Sequence, residues 1–134
     1  MEGAASFEEA ERVVRQVTEA LNRGDLDAAE AMLADDVEWV TRDGPGRGPE
    51  ILRETWAPQL ERFEVKFEVE RVVDAGDGRV ILVQKVDRLD PETGELELRA
   101  WPALVIRVRG GKVVFVEGYP DRRKAFTDLG LDPE

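Results

Sequence analysis

Residues 63–70, with the sequence FEVKFEVE, carry the clearest secondary-structure signal in the chain. Four apolar residues alternate strictly with four charged ones, and side chains two positions apart on a strand share one face. The pattern predicts a strand with one dry face and one solvated face, as is typical of an antiparallel sheet that is covered on one side.

Further strands are predicted after this one, separated by short turns that glycine, proline and aspartate mark. The predicted elements are a turn at 75–78, a strand at 79–89, a hairpin loop at 90–94, a strand at 96–109, a turn at 110–111 and a strand at 112–119. Asp121 then caps a terminal helix that ends at Gly130.

The N-terminal part of the chain has helical patterning instead. Ser6 and Glu9 form a capping box at the start of a first helix, which ends at Gly24, and Asp25 caps a second, shorter helix. The remaining predicted elements are a short strand at 37–41, a glycine-rich loop at 43–48 and a third helix that begins at Pro49 and ends or kinks at Pro58.

The order of these elements predicts an α+β fold, because helices come first and long antiparallel strands follow. We expect the helices to lie on one face of a curved sheet. A chain of 134 residues fits one domain. We expect that domain to span residues 1–134, with loose ends at 1–5 and 132–134.

The composition excludes several kinds of chemistry, since the chain contains no cysteine and no histidine. Disulfides, thiolate nucleophiles and cysteine-based zinc sites are excluded, and the commonest general base and metal ligand is missing. Acid–base work would fall to carboxylates, lysine, tyrosine or bound water. We expect no metal and no cofactor.

The charge and hydropathy of the chain limit its partners. A net charge of −11 repels the phosphate backbone and argues against nucleic-acid binding. No apolar run approaches the ~20 residues that span a bilayer, and the N-terminus lacks the pattern of a signal peptide. We expect a cytoplasmic protein with no membrane partner.

Two groups of short motifs resemble SnoaL-like proteins of the nuclear-transport-factor-2-like superfamily. The opening group is NRGD at 22–25 followed by LADDVEW at 33–39, and the closing group is GKVV at 111–114, YPD at 119–121 and the helix up to Leu131. Their order and spacing cover nearly the whole chain. The resemblance implies a cone of about three N-terminal helices on a strongly curved antiparallel or mixed sheet that encloses a pocket.

Ketosteroid isomerases share this fold, and their catalytic positions can be carried over one by one. The resemblance places their oxyanion-hole tyrosine at Val17, their general-base aspartate at about Thr41 and their protonated aspartate near Leu104. None of the three chemical groups is present, so isomerisation by that route is excluded. Chemistry like that of scytalone dehydratase needs histidine and is excluded too.

Limonene-epoxide-hydrolase-like enzymes match better. A gap-free alignment to them puts Lys85 at their arginine, Asp87 at their first aspartate and Gly118 at their second aspartate. Lys85 and Asp87 share one strand face with Ile81 and Val83, which favours an inward orientation, and the resemblance implies a catalytic role for the pair. The alternative is an ordinary ion pair on a solvated face, because the opposite face of this strand is apolar as well.

The resemblance also implies which residues line the pocket. Trp39 and Trp56 would form apolar walls, and the alternative is that both are ordinary core residues. Further ligand contacts are expected from Val17, Thr41, Val83, Val116 and Gly118. Trp101 has the opposite parity to its neighbours and is expected on the outer face of the sheet.

Two functions remain open at this point. The first is a pocket protein that binds a small apolar molecule of steroid or terpenoid size, as a hydrolase, a cyclase or an isomerase. The second is a non-catalytic ligand-binding or assembly module. In both cases we expect a homodimer through the outer sheet face, because the strands between residues 79 and 119 are apolar on both faces.

Overall fold

The computed structural model describes residues 4–133, which form four helices and one seven-stranded sheet. The helices are α1 (Phe7–Asn22), α2 (Leu26–Ala31), α3 (Glu50–Arg62) and α4 (Arg122–Asp128). The strands are β1 (Leu33–Thr41), β2 (Gly44–Arg47), β3 (Glu64–Gly76), β4 (Arg79–Leu89), β5 (Leu96–Ala100), β6 (Ala103–Arg109) and β7 (Lys112–Tyr119).

The sheet has the strand order β2-β1-β7-β6-β4-β3, and β5 pairs with the far half of β4. All pairs are antiparallel except β1 and β7, which run parallel. Two irregularities in β3, near Glu70 and Ala75, interrupt its register with β4. Bulges of this kind bend a strand, which curves the sheet around the helices. The predicted α+β fold with a curved mixed sheet is confirmed.

Three predicted helix caps are present. The Ser6 hydroxyl accepts a hydrogen bond from the Glu9 N–H at 3.1 Å. The Asp25 and Asp121 carboxylates accept from the first turns of α2 and α4, each at 3.0 Å. These signals are local in sequence, which is why they carry over directly into structure.

Several predicted boundaries differ from the structure, and β1 for example begins at Leu33 instead of residue 37. Part of the loop at 43–48 forms β2, because its backbone pairs with β1 from Glu38 to Thr41. The third helix continues through Pro58 to Arg62. The strand predicted at 96–109 is divided into β5 and β6 at Trp101 and Pro102, where proline has no N–H to donate to a neighbouring strand.

The sheet has an apolar core on each face. On the inner face, Val80, Leu82 and Ile106 pack with α1 and the other N-terminal helices. On the outer face, Ile81 and Val105 belong to a second cluster that α4 covers with Ala125 and Phe126. The strands are therefore apolar on both sides because this chain itself covers both sides.

The described parts of both chain ends contact the body of the protein. The Ala5 N–H donates to the Val108 carbonyl at 3.4 Å, and the Arg71 guanidinium donates to the Pro133 carbonyl at 2.8 Å. The remaining residues that were expected to be loose, 1–3 and 134, lie outside the described residues. Within residues 4–133 no helix is both long and apolar enough to cross a membrane.

Candidate functional site

A pocket of about 80 Å³ lies inside the cone, between the helices and the inner face of the sheet. Its walls come from α1, α3 and five strands of the sheet. The lining residues are Val14, Val17, Thr18, Leu21, Leu33, Trp39, Leu52, Trp56, Phe67, Leu82, Gln84, Leu104, Ile106, Val113 and Val116. All but two of them carry apolar or aromatic side chains, as is usual for small-molecule sites.

The aromatic rings of Trp39, Trp56 and Phe67 form the largest flat walls of the pocket. One hydrogen bond and one edge-to-face ring contact hold them in place. The Trp39 indole N–H donates to the Gly48 carbonyl at 2.8 Å, which fixes the ring and uses its only polar atom. Trp56 and Phe67 meet edge to face, with ring centroids 4.8 Å apart. These rings therefore offer apolar surface to a ligand.

The two polar residues in the lining are Thr18 and Gln84. The Thr18 hydroxyl donates to the Val14 carbonyl one turn earlier, at 3.0 Å, so that only its lone pairs are free. Gln84 is 5% exposed, and its side-chain amide forms no hydrogen bond with another described residue. The amide therefore offers two N–H donors and one carbonyl acceptor to the pocket.

Strand parity places Gln84 in this position. It lies on β4 two residues after Leu82, so both side chains project from the inner face. Its own N–H donates to the Pro102 carbonyl across the sheet at 3.2 Å. A single polar side chain thus interrupts the apolar inner face of β4 at the pocket.

A family profile described as SnoaL-like domain matches residues 14–116, a range that includes every residue of the pocket lining. The chain belongs to the SnoaL-like domain family. The family match therefore agrees with the cone of helices and sheet that the sequence motifs implied. No curated protein sequence matches the chain.

Solved structures share the fold of this SnoaL-like domain at low sequence identity. AclR from Streptomyces galilaeus superposes with a TM-score of 0.74 at 20% identity, covering 96% of this chain and 89% of that chain. An NTF2-like protein from Burkholderia thailandensis gives 0.67 at 27% identity, with 82% and 88% covered. A Mycobacterium tuberculosis protein in complex with estradiol-17beta-hemisuccinate gives 0.69 at 15% identity, with 83% and 92% covered.

The SnoaL-like domain has Lys85 and Asp87 on the face of β4 that points away from the pocket. Arg99 of β5 donates to the two carboxylate oxygens of Asp87 at 2.7 and 2.9 Å. Lys85 lies 3.6 Å from the Glu68 carboxylate on β3. These hydrogen bonds from Arg99 lower the pKa of the Asp87 carboxyl from its usual value. Neither Lys85 nor Asp87 lines the pocket, so the predicted inward orientation of the pair is wrong.

The physical reason for this difference is the second core. Ile81 and Val83 share a face with Lys85 and Asp87, as expected, but that face is the outer one, under α4. Because both faces of β4 are apolar, parity alone did not distinguish them. The inner position between Val83 and Lys85 belongs to Gln84.

The other expected ligand contacts of the SnoaL-like domain divide into two groups. Val17, Trp39, Trp56 and Val116 line the pocket, and their contact with a ligand stays a prediction. Val83 packs on the outer face, the Thr41 hydroxyl bonds to the Gly44 carbonyl in the β1–β2 turn, and Gly118 lies beside Leu104 outside the lining.

Gln84 is the pocket residue whose chemistry the sequence reasoning missed. A signal for it exists, because it is the one polar residue in the run from Val80 to Val86 apart from Lys85, and it has the parity of Leu82. Among residues 4–133 no group of three His, Cys, Asp or Glu side chains is arranged to hold a metal ion.

Proposed function

We propose that this SnoaL-like domain binds a small uncharged molecule in its cone pocket, and that a carbonyl or hydroxyl group of the ligand forms a hydrogen bond with the Gln84 amide. The observation that carries the proposal is this amide, which is almost fully buried and has no partner among the described residues. Buried polar groups nearly always have hydrogen-bond partners, so an unpartnered one that faces a pocket points to a ligand or to water.

The lining supports an uncharged ligand. It contains no lysine, arginine, aspartate or glutamate, so a ligand charge would lose its hydration without gaining an opposite charge. The same lining offers no side chain that exchanges a proton near neutral pH. The pocket is therefore suited to binding and orienting a molecule rather than to general acid–base catalysis.

The volume supports a ligand smaller than a steroid. The pocket measures about 80 Å³, whereas sites for drug-sized ligands occupy ~300–1,000 Å³. A cavity of ~150 Å³ is the size that takes up benzene. The steroid ester in the Mycobacterium tuberculosis relative would need the walls of this pocket to move apart. We propose a ligand with roughly one small ring or a short chain.

The test compares the affinities of a ketone and a hydrocarbon of matched shape, cyclopentanone and cyclopentane. Titrations are followed by tryptophan emission in a Trp101→Phe background, which leaves Trp39 and Trp56 as the emitters, and by calorimetry. The wild-type pocket should bind the ketone about tenfold more tightly than the hydrocarbon, since one hydrogen bond to a buried amide accounts for ~1.4 kcal/mol.

Gln84→Leu should remove this preference and leave hydrocarbon binding intact, because the apolar walls remain. Gln16→Leu is the matched control, since it removes an amide from the exposed face of α1. Equal ketone preference in wild type and Gln84→Leu would refute the role of the amide. Tight binding of a steroid ketone with no binding of cyclopentanone would refute the proposed ligand size.

A further inference from the structure

Pro102 leaves the Gln84 backbone with an incomplete strand pairing. In an antiparallel sheet, two residues that face each other as a hydrogen-bonded pair exchange two N–H···O bonds. The Gln84 N–H donates to the Pro102 carbonyl at 3.2 Å. Proline has no N–H with which to complete the pair. The Gln84 carbonyl therefore has no donor from the strand that lies beside it.

Arg122 supplies the missing donor from the other side of the sheet. It is the first residue of α4, directly after the Asp121 cap. Its Nη2 donates to the Gln84 carbonyl at 2.9 Å, and its Nε donates to the Trp101 carbonyl at 3.0 Å. One guanidinium thus bridges the break between β5 and β6 and the residue of β4 that faces this break.

A third contact of Arg122 reaches β3. Its Nη1 lies 2.8 Å from the Glu70 carboxylate, and Glu70 occupies the bulge in β3 next to Gln84. Both side chains of this ion pair are 32% exposed, and solvent-accessible pairs of this kind contribute little to stability. The two bonds to backbone carbonyls are the contacts that a planar, forked donor makes and a single ammonium does not.

We propose that Arg122 is a positioning residue for the pocket, which holds the Gln84 peptide so that its side-chain amide projects at the ligand. The carbonyl that Arg122 holds belongs to the peptide that follows the Gln84 Cα, which is one of the two peptides that orient the Gln84 side chain on the strand. Through this contact α4, on the outer face, determines the polarity of the pocket on the inner face. The effect on ligand choice rests on the proposed function, whereas the effect on the Gln84 amide does not.

The experiment uses three variants of the full chain and two readouts. Arg122→Ala removes all three contacts, Glu70→Gln removes only the ion pair, and the double variant Pro102→Ala/Arg122→Ala returns an N–H opposite the Gln84 carbonyl. The first readout is the NMR signal of the Gln84 side-chain amide in ligand-free protein. It is assigned by its loss in Gln84→Leu from among three glutamines, Gln16, Gln59 and Gln84. The second readout is the affinity ratio of cyclopentanone to cyclopentane.

Arg122→Ala should move the Gln84 amide signals toward those of the exposed Gln16, and should lower the ketone preference from about tenfold to about twofold or less. Glu70→Gln should change neither readout. The double variant should restore both, which a loss of general stability would not do. If Arg122→Ala does not fold, the same comparison is made with Arg122→Lys, which keeps the charge and loses the fork.

Unchanged Gln84 amide signals in the Arg122 variant would overturn the inference. An equal effect of Glu70→Gln would also overturn it, because the ion pair alone would then explain the result. A wild-type protein with no ketone preference would refute the proposed function. In that case, amide signals that shift in Arg122→Ala and return in the double variant still support the positioning role.

Discussion

At the scale of single residues, Gln84 combines an expected cost in stability with the proposed role in recognition. The residue is 5% exposed, and its side chain forms no hydrogen bond with another described residue. Such a group lowers the free energy of unfolding by ~1–3 kcal/mol relative to a satisfied one, whereas an apolar group of similar shape carries no such cost. A residue of this kind is expected where binding, rather than folding, requires it.

Gln84→Leu should therefore raise the free energy of unfolding by about 1 kcal/mol while it removes the ketone preference. Urea denaturation followed by circular dichroism measures the first effect, with Gln16→Leu as the surface control. If the free energy of unfolding instead falls by more than about 1 kcal/mol in Gln84→Leu, the amide has a structural partner and the proposed role of Gln84 is wrong.

Asp87 is a residue of the opposite kind, since its ionised carboxylate is fully paired. Hydrogen bonds from Arg99 lower its pKa in the folded protein. A carboxyl whose folded pKa lies below its unfolded value, ~3.9, stabilises the fold above that value. This contribution is lost as the pH falls through the lowered pKa. The stability of the wild-type protein should accordingly fall more steeply below about pH 4 than that of Asp87→Asn.

Thermal or urea unfolding measures the stability of wild type and Asp87→Asn from neutral pH down to the lowest pH at which the protein is still folded. Asp36→Asn, at an exposed position of β1, is the matched control. Ligand affinity at neutral pH should be the same in wild type and Asp87→Asn, because the pair lies on the outer face of β4. A loss of ligand binding in Asp87→Asn would show that Asp87 contributes to the binding site.

At the scale of elements, the C-terminal end of α1 covers one residue of the free edge of the sheet. β3 is the outermost strand on its side and pairs only with β4. Asn22, the last residue of α1, donates to the Phe67 carbonyl and accepts from the Phe67 N–H, both at 2.8 Å. One amide thus satisfies two edge groups of β3 that would otherwise face outward, and it fixes Phe67 as a wall of the pocket.

Asn22→Ala should lower the free energy of unfolding by about 2 kcal/mol, because two hydrogen bonds are lost and Phe67 is left with two unpaired groups. Arg23→Ala, one residue later at the exposed end of α1, is the control and should change it by less than about 0.5 kcal/mol. The check is urea denaturation of all three proteins. Equal stabilities would mean that water replaces the Asn22 amide without loss.

The elements also differ in how well the sequence could predict them. Local signals carried over well: the Ser6, Asp25 and Asp121 caps form as expected, and the strictly alternating residues 63–70 lie in or beside β3. The face of β4 could not be predicted, because it depends on α4, a helix about forty residues later that covers the outer side. Strand parity has no information about what covers each face.

At the scale of the whole molecule, α4 covers the apolar sheet face on which the dimer prediction is based. The apolar outer residues that suggested it, such as Ile81 and Val105, are covered within the chain by Phe126 and its neighbours. Trp101, which is 51% exposed, remains as an apolar residue next to that face. The homodimer through the outer sheet face stays a prediction.

Light scattering tests it directly, and a dimer mass at micromolar concentration is the predicted result. Trp101→Glu should shift the mass toward the monomer, since a charge at the rim of an apolar interface opposes association. Arg123→Glu, at an exposed position of α4, is the control for the added charge. A monomer mass for wild type at every concentration would contradict the prediction.

For the whole molecule, we propose that the cone pocket holds a small uncharged ligand against the Gln84 amide. Intermolecular nuclear Overhauser effects between bound cyclopentanone and the protein test it most directly. We predict contacts from the ligand ring protons to the Gln84 side-chain amide and to the Trp39 and Trp56 rings. Contacts confined to the exposed side chains of Leu96, Leu98 and Trp101 would place the ligand on the surface and contradict the account.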